Sequence, residues 1–281
     1  SENRAAQDSS AITKVVRIYF TGARDGLKMD LRITLPNTGG PVPVFLVPGF
    51  AFPGTLLRRG YGVVTFNPNE VEPDRRDGYG ASVRRALAPG EQTEPGPDEW
   101  GAIGAWAWAM SRAMDYLETD RDIDRARVAI MGVSRYGKVV MWAGAQDGRF
   151  AMVFSGESGL GGVVIARRGF GETVRSINGY APHWFSGTFK QYNDRVNDLP
   201  VDWHMLVALM APRPVYIATA ERDYWGDQRG SFLAGKAAEP VYRLFGKRGL
   251  VVDSMPAVEV PVGDVIGFHN RMVSHERNAY A

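Results

Sequence analysis

The 281-residue sequence contains no cysteine and only four histidines. The absence of cysteine excludes disulfide bonds, thiolate nucleophiles and metal sites built from cysteine. It does not by itself identify the cellular compartment. Any chemistry that needs an imidazole must use His183, His204, His269 or His275.

Long apolar runs are also missing. No run approaches the ~20 apolar residues that a membrane-spanning helix needs. The segment Ser1–Ser10 is polar and lacks the apolar stretch of a signal peptide. We therefore expect no membrane partner, and either an intracellular protein or one whose signal peptide has been removed.

An excess of one charge sign is absent as well. Lysine and arginine total 33 residues and aspartate and glutamate total 31, so the formal net charge is +2. The arginines are scattered among acidic residues and form no basic run. The charge pattern therefore predicts no nucleic-acid partner.

Apolar residues make up 44% of the chain, which is enough for a sizeable core. The length fits one large α/β domain or two small ones. We find no internal repeat and no low-complexity linker. Residues 1–281 are therefore interpreted as one domain, with residues 1–12 as a flexible tail.

The first 66 residues predict an antiparallel start to a largely parallel sheet. Thr13–Phe20 and Met29–Pro36 alternate apolar and polar residues and predict a hairpin. Val42–Val47 and Tyr61–Phe66 are apolar runs, typical of buried parallel strands. Residues 68–99 are rich in Pro, Gly, Asp and Arg and predict a long loop, and loops of this length are often functional.

Strands and helices alternate in the remainder of the chain. Ala102–Leu117 predicts a helix that is apolar nearly all round. Residues 160–200 predict irregular structure with an aromatic cluster, and Ile266–His275 is interpreted as a C-terminal loop. The other predicted elements are strands at Phe150–Phe154 and Pro214–Ala220 and helices at Val201–Met210 and Ser231–Phe245.

The segment from Val128 to Ala143 carries the strongest functional signal. An apolar strand, Val128–Met131, is followed by a tight turn at Gly132–Ser134 and a helix containing Lys138–Ala143. A serine between a strand and a helix is typical of the nucleophile elbow of α/β-hydrolases. This fold has a mostly parallel sheet with helices on both faces, in agreement with the predicted strands.

The elbow motif departs from the usual G-x-S-x-G pattern. Tyr136 occupies the place of the second glycine, and Gly137 follows one position later. A serine at this position is also a preferred helix N-cap without any catalytic role. The local motif alone leaves both interpretations open.

A serine hydrolase also needs a histidine and an acid. In this fold both come after the serine in the chain, first the acid and then the histidine. Glu157 and Asp223 (or its neighbour Glu221) are the candidate acids, since they follow predicted strands. His269 and His275 are the candidate bases. His204 is interpreted as structural, and His183 as a possible pocket residue.

Several separate motifs resemble the glucuronoyl esterases, carbohydrate esterase family 15, in its bacterial branch. Gly132–Lys138 is similar to the family's G-x-S-R-x-G-K motif, and Gly156–Gly162 to its E-S-G-x-G-G segment. Further matching segments are Pro182–Phe185, Leu199–Met205, Ala211–Pro214 and Asp223–Trp225. Val133 stands where many members have a cysteine, so their disulfide near the histidine is missing here.

The resemblance implies a metal-independent Ser-His-Glu esterase without a cofactor. Ser134 would be the nucleophile, His275 the base and Glu157 the acid, with Asp223 as the alternative acid. Arg135 would stabilise the oxyanion through its backbone N–H and its guanidinium. By the same resemblance, the sugar ring would contact two residues, Lys138 and Trp225, and the pocket would include two more, Glu172 and Trp184.

The implied reaction is hydrolysis of the ester between 4-O-methyl-glucuronic acid of glucuronoxylan and an alcohol such as lignin. The same resemblance implies a secreted or periplasmic enzyme, which we expect to be a monomer. Two alternatives remain open. One is another carbohydrate esterase, such as an acetyl xylan esterase, and the other is a non-catalytic carbohydrate-binding protein with a hydrolase fold.

Overall fold

The structure is a computed structural model that describes residues 2–3, 11–51 and 53–275. The described residues form one ten-stranded sheet in the order β1-β2-β3-β5-β4-β6-β7-β8-β10-β9. The strands are β1 Glu2–Asn3, β2 Ala11–Tyr19, β3 Lys28–Pro36, β4 Val42–Pro48, β5 Gly62–Phe66, β6 Ile123–Val133, β7 Met152–Gly156, β8 Val215–Ala220, β9 Val262–Gly263 and β10 Ile266–Arg271.

The sheet is parallel in its centre and antiparallel at its edges. Strands β5, β4, β6, β7, β8 and β10 run parallel to one another. The pairs β1/β2, β2/β3, β3/β5 and β9/β10 are antiparallel. The predicted mostly parallel sheet with antiparallel N-terminal strands is therefore confirmed.

Seven α-helices connect the strands in the described part of the chain. They are α1 Gly54–Arg58, α2 Val83–Leu87, α3 Ala102–Leu117, α4 Arg135–Gln146, α5 Val174–Tyr180, α6 Trp203–Ala208 and α7 Gln228–Leu244. None of the described helices has both the length and the hydropathy required to cross a membrane. Helix α3 is buried on most sides, with Trp106 fully inaccessible, so its apolar residues belong to the core as expected.

Two predicted elements need correction. Ile266–His275 was expected to be a loop, but Ile266–Arg271 forms β10, paired in parallel with β8. Gly267 in this strand lies against the ring of Tyr216, where a Cβ would be 2.6 Å from the Cδ2 atom, so the glycine permits packing rather than a turn. Helix α5 likewise interrupts the segment 160–200, which was expected to be irregular.

The domain prediction stays a prediction. Most of the proposed flexible tail, residues 1–12, lies outside the described residues. Residues 2–3 and 11–12 belong to β1 and β2, so these four do not form a tail.

Candidate active site

Ser134 lies at the sharp turn between β6 and α4. Its backbone has φ +59° and ψ −130°, a left-handed conformation that is strained for a residue with a side chain. The backbone N–H of Ser134 donates a hydrogen bond to Gly156 O on the neighbouring β7, at 2.9 Å. The turn therefore holds the serine at the carboxyl end of the sheet, as in a nucleophile elbow.

Two glycines make this turn possible despite the unusual motif spacing. A Cβ on Gly132 would lie 2.2 Å from the carbonyl oxygen of Tyr136. A Cβ on Gly137 would lie 2.9 Å from Gly156 O and 2.7 Å from the Cβ of Ser158. Gly137 thus permits close contact between α4 and the end of β7, so the motif keeps its glycine one position later.

His275 contacts two carboxylates. Its Nδ1 lies 2.6 Å from Asp223 Oδ2 and 3.7 Å from Glu157 Oε2. The hydrogen bond to Asp223 raises the pKa of His275; burial opposes this rise, and the charge of Glu157 adds to it. Nδ1 faces the acids, so Nε2 is left to exchange protons with a nucleophile.

Glu157, the acid that the sequence interpretation preferred, lies farther from His275 than Asp223 does. The short contact of His275 goes to Asp223, the alternative acid, which also accepts a hydrogen bond from the backbone N–H of Trp225 at 3.1 Å. Glu157 is buried and forms an ion pair with Arg271, a residue of β10 that the sequence analysis did not identify. Both candidate acids therefore lie beside the same histidine, and the geometry favours Asp223 as its hydrogen-bond partner.

The same three residues form the one group of potential metal ligands found within the described residues. One ligand atom from each of Glu157, Asp223 and His275 lies within 4.8 Å of the others. An acid–base relay without a metal would need the same three residues in the same arrangement. The expectation of a metal-independent site therefore remains a prediction.

Lys138 is buried one helical turn after Ser134. Its side chain is only 3% exposed, and its Nζ donates hydrogen bonds to Ser158 O at 2.5 Å and to Glu172 Oε2 at 2.8 Å. Burial lowers the pKa of Lys138, while the charge of Glu172 opposes this shift. Lys138 is therefore not a solvated surface lysine.

Glu172 connects Lys138 to Tyr180, one of the aromatic residues in the segment 160–200. Its Oε1 accepts a hydrogen bond from the hydroxyl of Tyr180, whose pKa is raised by burial and by the Glu172 charge. Lys138 Nζ also lies 5.9 Å from the ring centroid of Trp184. Lys138, Glu172, Tyr180 and Trp184 thus form one polar and aromatic wall.

Trp184 and Trp225 differ in exposure. Trp184 is buried, and its indole ring contacts the ring of Tyr180 edge to face at 5.6 Å. Trp225 is 59% exposed and follows Asp223 in the turn after β8. Its carbonyl oxygen accepts a hydrogen bond from Glu172 N at 3.1 Å, which ties this turn to the segment that carries Glu172.

Arg135 extends from the first position of α4 towards the long loop between β5 and α3. Its Nε lies 3.0 Å from Asp74 Oδ2, and its guanidinium lies 5.4 Å from the ring of Tyr136 and 6.0 Å from that of Trp184. The length of this loop suggested a functional role, but the sequence did not single out Asp74. No motif marks this aspartate, because it lies in a segment distant in sequence from the elbow.

Within the described residues, no hydrogen bond or ion pair connects any of the four histidines to the side chain of Ser134, and only His275 contacts the candidate acids Asp223 and Glu157. His269 lies on β10, with Nε2 3.5 Å from Glu259 Oε2. His183 lies in the aromatic segment, and its Nε2 is 2.8 Å from Asp74 Oδ1. His204 lies on α6. The choice of His275 over His269 as the base stays a prediction.

Comparison with known proteins gives a consistent set of relatives. The family model described as glucuronyl esterase, fungi, matches residues 18–246. A 4-O-methyl-glucuronoyl methylesterase of Hypocrea jecorina (strain QM6a) is 31% identical over 235 residues, which cover 80% of this chain and 49% of the relative. The chain therefore spans about half the length of that fungal protein.

Two solved structures are similar over nearly the whole chain. A glucuronoyl esterase from Solibacter usitatus has a TM-score of 0.95 at 40% identity, covering 100% of this chain and 81% of that one. A promiscuous CE15 esterase from a marine bacterial metagenome has a TM-score of 0.89 at 39% identity, covering 99% and 80%.

Proposed function

This chain belongs to the glucuronoyl esterase family, carbohydrate esterase family 15, and from that premise we propose that it hydrolyses esters of 4-O-methyl-D-glucuronic acid in glucuronoxylan. The alcohol side would be a lignin hydroxyl or a similar group. The observation that carries this proposal is the buried pair of Lys138 and Glu172, one helical turn beyond Ser134. A buried charged pair beside a nucleophile can bind sugar hydroxyls, which a simple acetyl ester does not have.

The proposed reaction proceeds through an acyl-enzyme. Ser134 Oγ attacks the ester carbon while His275 Nε2 accepts the serine proton. The bond to the alcohol oxygen then breaks, and His275 returns the proton to that oxygen. Water attacks the acyl carbon, His275 takes its proton, and Ser134 leaves with that proton, releasing the glucuronate.

Asp223 and Glu157 would share the support of the histidine. Asp223 accepts the short hydrogen bond from Nδ1, which fixes the orientation of the ring and favours the imidazolium that forms during acylation. Glu157 contributes a second negative charge 3.7 Å from the same nitrogen. Its ion pair with Arg271 offsets the negative charge of Glu157 and so reduces the repulsion between the two buried carboxylates.

Arg135 and the start of α4 would stabilise the oxyanion. The backbone N–H groups at the very start of the helix would face the position where the negative charge develops. The guanidinium adds a permanent positive charge. Lys138 and Glu172 would hold the sugar hydroxyls, Trp225 would lie against one face of the ring, and Trp184 would form the pocket wall.

The proposal includes a location in the periplasm or outside the cell, because a substrate derived from plant cell walls does not reach the cytoplasm as a polymer. The action of the enzyme as a monomer without metal or cofactor is part of the same proposal. The triad needs no further group to complete the reaction.

The proposal is tested by comparing kcat/KM on benzyl glucuronate with kcat/KM on p-nitrophenyl acetate for the wild-type protein. We expect a clear preference for the glucuronate once the intrinsic reactivity of each ester is corrected by its alkaline hydrolysis rate. Hydrolysis of the acetate alone would refute the proposed substrate and leave only a general esterase.

A second candidate is an esterase of broader specificity, since a relative at 39% identity is described as promiscuous. Such an enzyme would accept both the glucuronate and acetylated xylo-oligosaccharides with similar kcat/KM. Release of acetate from acetylated xylan, measured beside the two model esters, separates this candidate from the first.

A further inference from the structure

Asp74 contacts three side chains that surround the candidate active site. Its Oδ1 accepts hydrogen bonds from Trp184 Nε1 at 2.7 Å and from His183 Nε2 at 2.8 Å. Its Oδ2 lies 3.0 Å from Arg135 Nε. Burial would raise the pKa of Asp74, but its bonds with His183 and Trp184 and the Arg135 charge outweigh burial and lower it. The carboxylate is therefore ionised.

The loop that carries Asp74 is anchored two residues earlier. Glu72 is fully buried and forms a two-pronged ion pair with Arg84, at 2.5 and 2.7 Å. Glu72 O also accepts a hydrogen bond from Trp106 Nε1 in α3 at 2.9 Å. The backbone N–H of Asp74 itself donates to Asn69 Oδ1 at 2.8 Å. These bonds give Asp74 a fixed position relative to the core.

We propose that Asp74 is a positioning residue that orients the Arg135 guanidinium for stabilisation of the oxyanion. This inference rests on the proposed function, in which Arg135 stabilises the developing charge. Asp74 does not touch the substrate in this account. It acts through Arg135, and the indole of Trp184 shares the same carboxylate.

The contact made by Arg135 suits this role. Asp74 Oδ2 lies 3.0 Å from Nε as an ion pair without the alignment of a hydrogen bond, and within the residues that the structure describes neither terminal nitrogen of Arg135 has a hydrogen-bond partner. The rings of Tyr136 and Trp184 both lie within about 6 Å of the guanidinium, a distance at which a cation is attracted to an aromatic face. One edge of Arg135 is thus held, and the other can receive an oxygen.

A purely structural role for Asp74 predicts a different behaviour. If the carboxylate only held the loop, its loss would lower thermal stability and affect activity whether or not Arg135 is present. If it orients Arg135, its loss matters only while the guanidinium is there. A double-mutant cycle separates the two, because coupled residues deviate from additivity.

The experiment measures kcat and KM on benzyl glucuronate for the wild type, Asp74→Asn, Arg135→Ala and the double variant, together with Ser134→Ala. We expect Asp74→Asn to lower kcat about tenfold with KM changed less than about twofold. We expect Arg135→Ala to lower kcat by about 10²-fold, in the range found for loss of one oxyanion donor. In the Arg135→Ala background, Asp74→Asn should then have less than about a twofold effect.

Asp77→Asn is the matched control, because Asp77 lies in the same loop with its side chain 80% exposed and pairs only with Arg75 at 3.3 Å among the described residues. This variant should retain wild-type kcat. Should Asp74→Asn fail to fold, the same cycle is run with Asp74→Glu, which keeps the charge but displaces the carboxylate by one methylene group.

Three results would overturn the inference. An equal loss from Asp74→Asn with and without Arg135 would assign Asp74 a structural role only, while Arg135 kept its own. Full activity of Asp74→Asn would remove its role altogether. Full activity of Arg135→Ala would reject the guanidinium as an oxyanion group, and retained activity of Ser134→Ala would reject the proposed function itself.

Discussion

At the scale of single residues, buried charges in this site are found in pairs of opposite sign. Lys138 pairs with Glu172, and Glu157 pairs with Arg271. Removing one partner of such a pair leaves an uncompensated buried charge, which costs about 3–5 kcal/mol. Substitutions in these pairs should therefore affect stability as well as activity, so both quantities must be measured.

The two candidate acids should differ in their effect on the pH profile. The base must be neutral, so kcat/KM rises with pH through the pKa of His275, which the hydrogen bond to Asp223 raises. Asp223→Asn removes this largest cause and should shift the acidic limb to lower pH, with a lower plateau. Glu157→Gln should give a smaller shift in the same direction. A larger shift from Glu157→Gln would restore Glu157 as the principal acid.

Lys138 should distinguish a uronate esterase from a general one. Lys138→Met keeps the apolar stem and removes the charge that can bind sugar hydroxyls. We expect kcat/KM on benzyl glucuronate to fall by tenfold or more, since a hydrogen bond from a charged group contributes about 1.5–3 kcal/mol. Hydrolysis of p-nitrophenyl acetate should change little. Equal damage to both substrates would show that Lys138 supports the elbow instead, through its bond to Ser158 O.

At the scale of elements, the elbow illustrates what the sequence can predict. The apolar run, the tight turn at Ser134 and the following helix are local patterns, and they predicted β6 and α4. The choice between two acids is not local. Glu157 follows β7 and Asp223 follows β8, two neighbouring parallel strands, so both side chains lie at the same end of the sheet. Only the distances to His275 distinguish them.

The close packing of α4 on β7 gives a test at this scale. Gly137→Ala would place a Cβ 2.9 Å from Gly156 O and should push the elbow away from β7. We expect a loss of about 1–3 kcal/mol in the free energy of unfolding and a strong loss of activity. Gly148→Ala is the control, because a Cβ on Gly148 would have no neighbouring atom within 4 Å among the described residues. If thermal unfolding and kcat were alike in the two variants, the packing argument would be wrong.

At the scale of the whole molecule, the site is assembled at one edge of the parallel sheet. Ser134, Glu157, Asp223 and His275 follow β6, β7, β8 and β10, and the carboxyl ends of parallel strands are where ligands bind in α/β folds. The sequence predicted most of these strands but not β10, whose glycine and polar residues lack a clear alternation. It could not predict Asp74, because that contact depends on the path of a long loop after β5.

The proposed independence from metal ions is tested on the whole enzyme. Although Glu157, Asp223 and His275 could together hold a cation, the proposed reaction uses His275 as a free base. Dialysis against EDTA should therefore leave kcat essentially unchanged from that of the untreated enzyme. Loss of activity on dialysis, restored by zinc but not by magnesium, would reassign the three residues as metal ligands.

The most direct test of the account is hydrolysis of benzyl glucuronate by the wild type and by Ser134→Ala, with circular dichroism to verify that both are folded. The account predicts turnover by the wild type and a loss of kcat on the order of 10⁶ in the variant, as for a nucleophile that acts as part of a triad. Activity of folded Ser134→Ala within about tenfold of the wild type would contradict it.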